Sequence, residues 1–322
     1  MEKSDIDREK SQVVPGRVLV IGGWGRCGST LLDMMLGQVP GLVSAGEVRE
    51  LWLRGCVENR PCGCGASFRT CPFWTEVGEA AFGGWDNLDL DRVLRVRYTV
   101  DRPWGVPRLL SRRPAGDGDD GLAMYGDVLA RLFEGIRKVS GARVVIDSSK
   151  LPSHTMMLRR TADVDVRLVH LVRDSRGVAY SNTKVVLKQV TEGEPTMLPR
   201  HGAVGASARY TLYNGLTAWT NRLDVDYMLL RYEDLIADPE RNLRAILAHA
   251  GEPDDVELPF LTSEGALLAE NHLVDGNPVR FSKGAVPLRS DEEWRTRMTS
   301  RDRRLVTALT LPLLATYGYP VR

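Results

Sequence analysis

The stretch "GGWGRCGST", residues 22–30, joins glycines to hydroxyl side chains in the way an anion site requires. Glycines let backbone N–H groups close on a bound oxyanion, and a following helix adds the positive end of its dipole. Three patterns overlap here. Gly23, Gly25 and Gly28 fit GxGxxG, a dinucleotide fingerprint, and Glu47 lies about 20 residues on, where such folds place an acid on a ribose. Gly23 and Gly28 followed by Ser29 and Thr30 fit a nucleoside-triphosphate loop, but Ser29 stands in place of the lysine that reaches the β- and γ-phosphates. The third pattern is a phosphate loop whose cation, Arg26, sits inside the turn.

A second group of candidates lies far along the chain. "LVHLVRDSRGVAYS" delivers Arg173 at the end of an apolar run and Ser181 on the helix that follows. A guanidinium and a hydroxyl held this way converge on a separate phosphate through charge-assisted hydrogen bonds. Two phosphate sites describe a bisphosphorylated nucleotide. The competing reading of Arg173 is a surface ion pair with Asp174 or a nearby acid; Arg176 reads as solvated. Acid–base chemistry has candidates in Glu47 of "SAGEVREL", whose competing role is a helix-start carboxylate, and in His154, which reads more simply as structural. Lys150 and Asp147 share the segment "IDSSKLPSH". Asp147 reads as a strand-end acceptor or substrate contact, and the triphosphate pattern would make it a magnesium ligand.

These residues need a scaffold that gathers them. Apolar runs at 17–23, 142–150, 164–174 and 225–234 read as strands, each followed by a helical segment. The helices expected are "STLLDMMLGQ", with Ser29 and Thr30 as N-caps, then "SHTMMLRR", "SRGVAYSNTKVVLK" and "PERNLRAILAHAG". Alternating strands and helices imply an α/β fold with a central parallel sheet flanked by helices in three layers. In such sheets ligands bind beyond the carboxyl ends of the strands, which is where the candidates fall. We expect a tail over 1–15 without fixed structure, one domain over 16–322, a cysteine-rich insert at 56–74, and lid loops at 102–121 and 191–205.

Three separated motifs, in order, resemble the sulfotransferases that use 3′-phosphoadenosine-5′-phosphosulfate (PAPS). "GRCGSTLL" is similar to that family's 5′-phosphosulfate loop, R-[SG]-G-[ST]-[ST]; "LVRDSRGVAYS" to its 3′-phosphate motif; and "LLRYEDLIADPERNLRAILAHAG" to its Y-E-D-L-x-x-x-P segment. The resemblance spans about residues 17–250 and departs at Cys27, where many members carry serine, and at the cysteine-rich insert. It implies a P-loop-like sulfotransferase fold and direct in-line transfer of sulfonate from PAPS to a hydroxyl, leaving PAP, with no metal required. It assigns Gly25, Arg26, Cys27, Gly28, Ser29, Thr30, Arg173, Ser181, Tyr232 and Arg280 to the nucleotide, and Glu47, Lys150 and Arg26 to catalysis. Glu47 resembles in position the glutamate base of the tyrosylprotein and bacterial glycolipid enzymes. Lys150 stands beside "LP", where the cytosolic branch carries its histidine base in "K-x-H-L-P", and on this reading neutralises the transferring group. The loop at 271–284, with Arg280 and Lys283, either closes over the nucleotide or is a solvated loop. A P-loop nucleotide kinase using ATP and magnesium is the alternative.

Composition bounds the partners. A net charge of +1 predicts no nucleic-acid coat and no polybasic membrane anchor, so any anion is met locally. No stretch approaches the ~20 apolar residues of a membrane span, and the charged N-terminal residues form no secretory signal, so a cytoplasmic protein is expected. The composition also allows a homodimer. Cys56, Cys62, Cys64 and Cys71 crowd together without a histidine near them in sequence; they allow a four-thiolate zinc site, disulfides or free thiols. Cys27 reads as a loop filler. Trp52, Trp74, Trp85 and Trp104 either line an acceptor pocket for a small-molecule, carbohydrate or secondary-metabolite hydroxyl or pack in the core.

Overall fold

The computed structural model describes residues 16–100, 106, 109, 120–161, 163–188, 196–197, 199–223 and 225–321. The tail 1–15, most of the expected lid 102–121, the first part of the lid 191–205 and Trp104 lie outside these residues.

Strand β1 (Gly16–Gly23) alternates its side chains between two apolar layers, as the two-residue period of a strand demands. Val18 and Val20 face one core, with Trp74, Leu129 and Phe133. Leu19 and Ile21 face the other, with Leu32, Met35, Leu243 and Ile246. Burial on both faces is the mark of a parallel sheet covered by helices. The sheet has five strands: β2 (Leu42–Gly46), β3 (Val144–Lys150), β1, β4 (Val164–Val172) and β5 (Asp226–Arg231), in that spatial order and all parallel. Helices α1 (Ser29–Leu36), α2 (Pro72–Phe82), α3 (Asp120–Ser140), α4 (Pro152–Thr161), α5 (Ser175–Ser181), α6 (Ala203–Thr220), α7 (Tyr232–Ala237), α8 (Pro239–His249) and α9 (Ser300–Thr316) pack around it. The α/β parallel-sheet reading of the sequence holds. No helix among the described residues is long and apolar enough to cross a membrane.

Several local expectations need correction. The sheet has an unforeseen edge strand, β2, because "LVSAG" is short and interrupted by Ser44. Gly28, in the left-handed conformation, is the N-cap of α1, so Ser29 and Thr30 lie inside the helix instead of capping it. The helix after Arg173 stops at Ser181. There the Asn182 side chain bonds the carbonyl of Val178 at 2.9 Å, and the β-branched residues beyond disfavour another turn. The expected lid ends early, since α6 starts at Ala203. Strand β5 ends at Arg231, so Tyr232 opens a helix. Trp52 and Trp74 pack in the core and Trp85 packs against it.

The segment 271–284 is not a solvated loop but a strap laid across the end of β2. Val274 N donates to Ala45 O at 3.1 Å, and Glu47 N donates to Val274 O at 2.8 Å. Gly46 permits this, with φ +78 and a position where a Cβ would lie 2.5 Å from Val274 O. Gly141 makes a control: it is also left-handed, at φ +69, but in open space. A strained left-handed residue costs about 1–3 kcal/mol, and at Gly46 a backbone clash adds to it. Thermal melts should therefore show a clearly larger loss for Gly46→Ala than for Gly141→Ala. Equal losses would contradict the pinned strap.

Candidate functional site

The turn after β1 places a left-handed Arg26 (φ 70) between Gly25 and Gly28. Tyr232 explains Gly28: a Cβ there would lie 2.5 Å from the tyrosine ring. The ring in turn lies under the Arg173 guanidinium, 5.0 Å from its centroid. Arg173 Nη1 donates to Arg26 O at 3.3 Å, so the two sequence motifs that looked separate are joined by a direct bond.

A cleft of about 400 Å³ opens at this end of the sheet. Its walls include Gly25, Arg26, Gly28, Ser29, Thr30, Glu47, Lys150, Arg173, Ser181 and Tyr232. Residues from both motifs, both strand ends and the start of α7 thus reach one place. Two of the residues expected on the nucleotide do not line it. Cys27 is buried in the core beneath the loop, where burial raises its thiol pKa and keeps it protonated. Arg280 is also buried and donates to Pro61 O at 2.8 Å, away from the cleft and into the insert. The strap instead contributes Gly276, Asn277 and Val279. Asn277 N donates to Thr30 Oγ1 at 3.3 Å, and a Cβ on Gly276 would meet Thr30 at 3.3 Å and Glu47 at 3.6 Å. The turn dipeptides of "DGNP" were the available signal, but basic residues drew attention to Arg280 and Lys283. Lys283 pairs with Glu270 at 2.6 Å in solvent.

Acid and base groups meet at the junction of β2 and β3. Glu47 stands at the N-cap of the short helix Val48–Glu50, yet its side chain caps nothing. Its carboxylate accepts from Lys150 Nζ at 2.6 Å. Lys150, at φ +68, also donates to Ser148 O at 3.1 Å. Burial works to lower the lysine pKa, but the Glu47 charge outweighs it and the pKa rises, so Lys150 stays an ammonium. Arg26 differs: one guanidinium nitrogen, Nη2, is buried with no partner among the described residues, and burial lowers its pKa. Because an arginine does not deprotonate in proteins, that nitrogen is a charged donor suited to an anion.

The remaining candidates are structural. His154 is fully buried with Nε2 2.8 Å from Asp147 Oδ2, and Asp147 Oδ1 also accepts from Ser149 N at 2.9 Å. Both carboxylate oxygens of Asp147 are engaged inside the protein, which removes the magnesium reading of that residue. Arg176 is buried, contrary to the solvated reading, in a two-pronged pair with Asp174 at 2.9 and 2.6 Å. Asp174 therefore is not the partner of Arg173. That partner is Asp291, whose carbonyl accepts at 2.7 Å and whose carboxylate lies 3.3 Å away. Lys184 shares the same carboxylate at 3.3 Å. Glu233, which the sequence reading passed over, accepts from Asp174 N at 3.1 Å and from the Tyr319 hydroxyl at 2.7 Å, locking α5 to α7.

Under the loop, Asp33 of α1 is wholly buried. Burial raises its pKa to about 7, against the opposing hydroxyls of Ser148 and Ser44. An unfolded aspartate titrates near about 3.9, so between that pH and about 7 the folded state binds more protons. Its stability contribution is whole below the unfolded pKa and declines as pH rises through the folded one. Asp33→Asn should remove the decline. The wild type's melting midpoint should drop from pH 5 to pH 8 more than the variant's, and parallel drops would contradict the buried carboxyl.

Residues 111–256 match the model of a sulfotransferase family. Among solved structures, the sulfotransferase domain of the olefin synthase from Synechococcus PCC 7002 is 20% identical, with 95% of this chain and 96% of that one covered at a TM-score of 0.53. The sulfotransferase domain from the curacin biosynthetic pathway is 16% identical, covering 96% and 99%, also at 0.53. At these identities the likeness is one of fold. No curated protein matches the chain.

Proposed function

We propose that this chain is a sulfotransferase that moves sulfonate from PAPS to the hydroxyl of a small-molecule, carbohydrate or secondary-metabolite acceptor. The single observation that carries the donor is the buried Arg26 Nη2 beside the glycine turn, without a partner among the described residues, on a residue whose carbonyl accepts from Arg173. These residues fit a nucleotide with phosphates at both its 5′ and 3′ positions. Gly25, Arg26, Gly28, Ser29 and Thr30 would hold the 5′ end, and Arg173 with Ser181 the 3′-phosphate, with Tyr232 lining the same cleft.

When bound, PAPS supplies an activated sulfonate and leaves as PAP. Glu47 would accept the acceptor hydroxyl's proton on a carboxylate oxygen. Lys150, held charged by Glu47, offsets negative charge on the transferring group, and loses that partner's charge when the carboxylate takes the proton. Arg26 offsets charge on the leaving side. The protein thus works by positioning and fixed charge, with no covalent bond to the enzyme. The strap, through Gly276 and Asn277, keeps Glu47 and Thr30 in place and limits water.

The assignment is tested by separating binding from turnover. Arg173→Ala removes charge-assisted bonds worth about 1.5–3 kcal/mol, so 3′,5′-ADP should bind roughly ten- to a hundredfold more weakly by calorimetry. Glu47→Gln should leave that affinity nearly unchanged and lower the rate with labelled PAPS about 10²- to 10⁴-fold. A Glu47→Gln enzyme with near-wild-type turnover at saturating acceptor would remove Glu47 as the base.

A further inference from the structure

The four crowded cysteines resolve into a different set once the chain is folded. Cys56 drops out and packs in the core beside Phe68 and Trp74. In its place comes His272, about 200 residues later in the sequence, carried in by the strap. Its Nδ1 lies 3.3 Å from Cys71 Sγ and 3.7 Å from Cys62 Sγ. Cys71 Sγ lies 3.6 Å from Cys62 Sγ and 3.7 Å from Cys64 Sγ. All four donor atoms fall within 4.8 Å of one another.

Those separations discriminate between chemistries. A disulfide draws two sulfurs to about 2.05 Å and leaves the others out. A tetrahedron around zinc, with bonds of about 2.3 Å to sulfur and 2.0 Å to nitrogen, has edges of about 3.5–3.8 Å. Four of the separations here, 3.3 to 3.7 Å, are near those edges. Three thiolates and one imidazole on a tetrahedron select zinc among the common divalent ions. The surroundings orient the ligands. The His272 ring stacks on Phe73 at 4.9 Å, and Trp74 Nε1 donates to His272 O at 2.8 Å. Cys62 N donates to Ala66 O at 2.7 Å, bending the Cys62–Cys64 turn, and Gly63 N donates to Leu273 O at 3.2 Å. Half-exposed Cys64 and His272 give an ion its way in.

We propose that Cys62, Cys64, Cys71 and His272 form a closed, structural zinc site that clamps the cysteine-rich insert to the strap over the candidate active site. Four protein ligands fill a tetrahedron and leave no position for a substrate, so the ion has no part in sulfonate transfer. Its effect is mechanical. His272 is two residues from Val274, which pairs with the end of β2, and five from Asn277, which reaches Thr30. A metal bond at His272 fixes the strap at the end remote from the cleft.

The full chain, purified without chelator, should carry one zinc per chain by elemental analysis. Cobalt added to the stripped protein should give the intense visible bands of a tetrahedral thiolate site. Cys62→Ser, Cys71→Ser and His272→Ala should each lose the stoichiometric metal, whereas Cys56→Ser should keep it. The wild type's melting midpoint should fall on chelation and return with zinc, a readout that needs no variant to fold. The proposal is overturned if neither zinc nor cobalt binds the wild-type chain stoichiometrically, if a disulfide mass shift accounts for these cysteines, or if Cys56→Ser loses metal as the others do.

Discussion

The 2.6 Å bond between Lys150 Nζ and Glu47 Oε1 joins the ends of two neighbouring strands, and the geometry of the cleft depends on it. A lysine at φ +68 on a buried strand end carries backbone strain and a desolvation penalty. A carboxylate at one fixed place answers the second, and Glu47 is fixed because the strap holds its backbone through Val274. With the pair in place, one negative and one positive group face the same space, and their protonation states are coupled. An acid that gives up its charge to a proton leaves the ammonium beside it free to act on developing negative charge elsewhere.

On the opposite wall the balance is reversed. Arg26 and Arg173 approach one another closely enough for a guanidinium to donate to the other's carbonyl. Asp291 answers Arg173, while Arg26 keeps a buried donor without a partner among the described residues. On the proposed reading, the side of the glycine turn takes the anion and the side of Glu47 takes the proton. The aromatic ring of Tyr232 packs against both Gly28 and the Arg173 guanidinium and explains why Gly28 cannot carry a side chain.

Much of this was legible in the sequence because it is local. The glycine turn, the arginine at the end of β4 and the helix after it are each specified within about ten residues by period, turn residues and caps. What escaped is what only the folded chain brings together. Strand β2 is too short to announce itself, yet it positions Glu47. The strap looked like a basic loop, but its working residues are Gly276 and Asn277, chosen for close approach and a backbone N–H, while Arg280 faces the insert. The cysteines looked like a set of four; the fold exchanges Cys56 for His272, a pairing no spacing rule reaches across about 200 residues. Burial also reversed the reading of Arg176, whose partner is only two residues away but whose environment depends on Trp294 and Pro320.

The central claim is that the cleft is built for a nucleotide phosphorylated at both its 3′ and 5′ positions, and ligand choice by the unaltered protein tests it most directly. Calorimetry of the wild-type chain with 3′,5′-ADP, set against ATP with magnesium under the same buffer and salt, reads that choice. The account predicts saturable binding of 3′,5′-ADP that is markedly the tighter of the two. Tighter binding of ATP with magnesium would contradict it and return the glycine turn to the triphosphate reading.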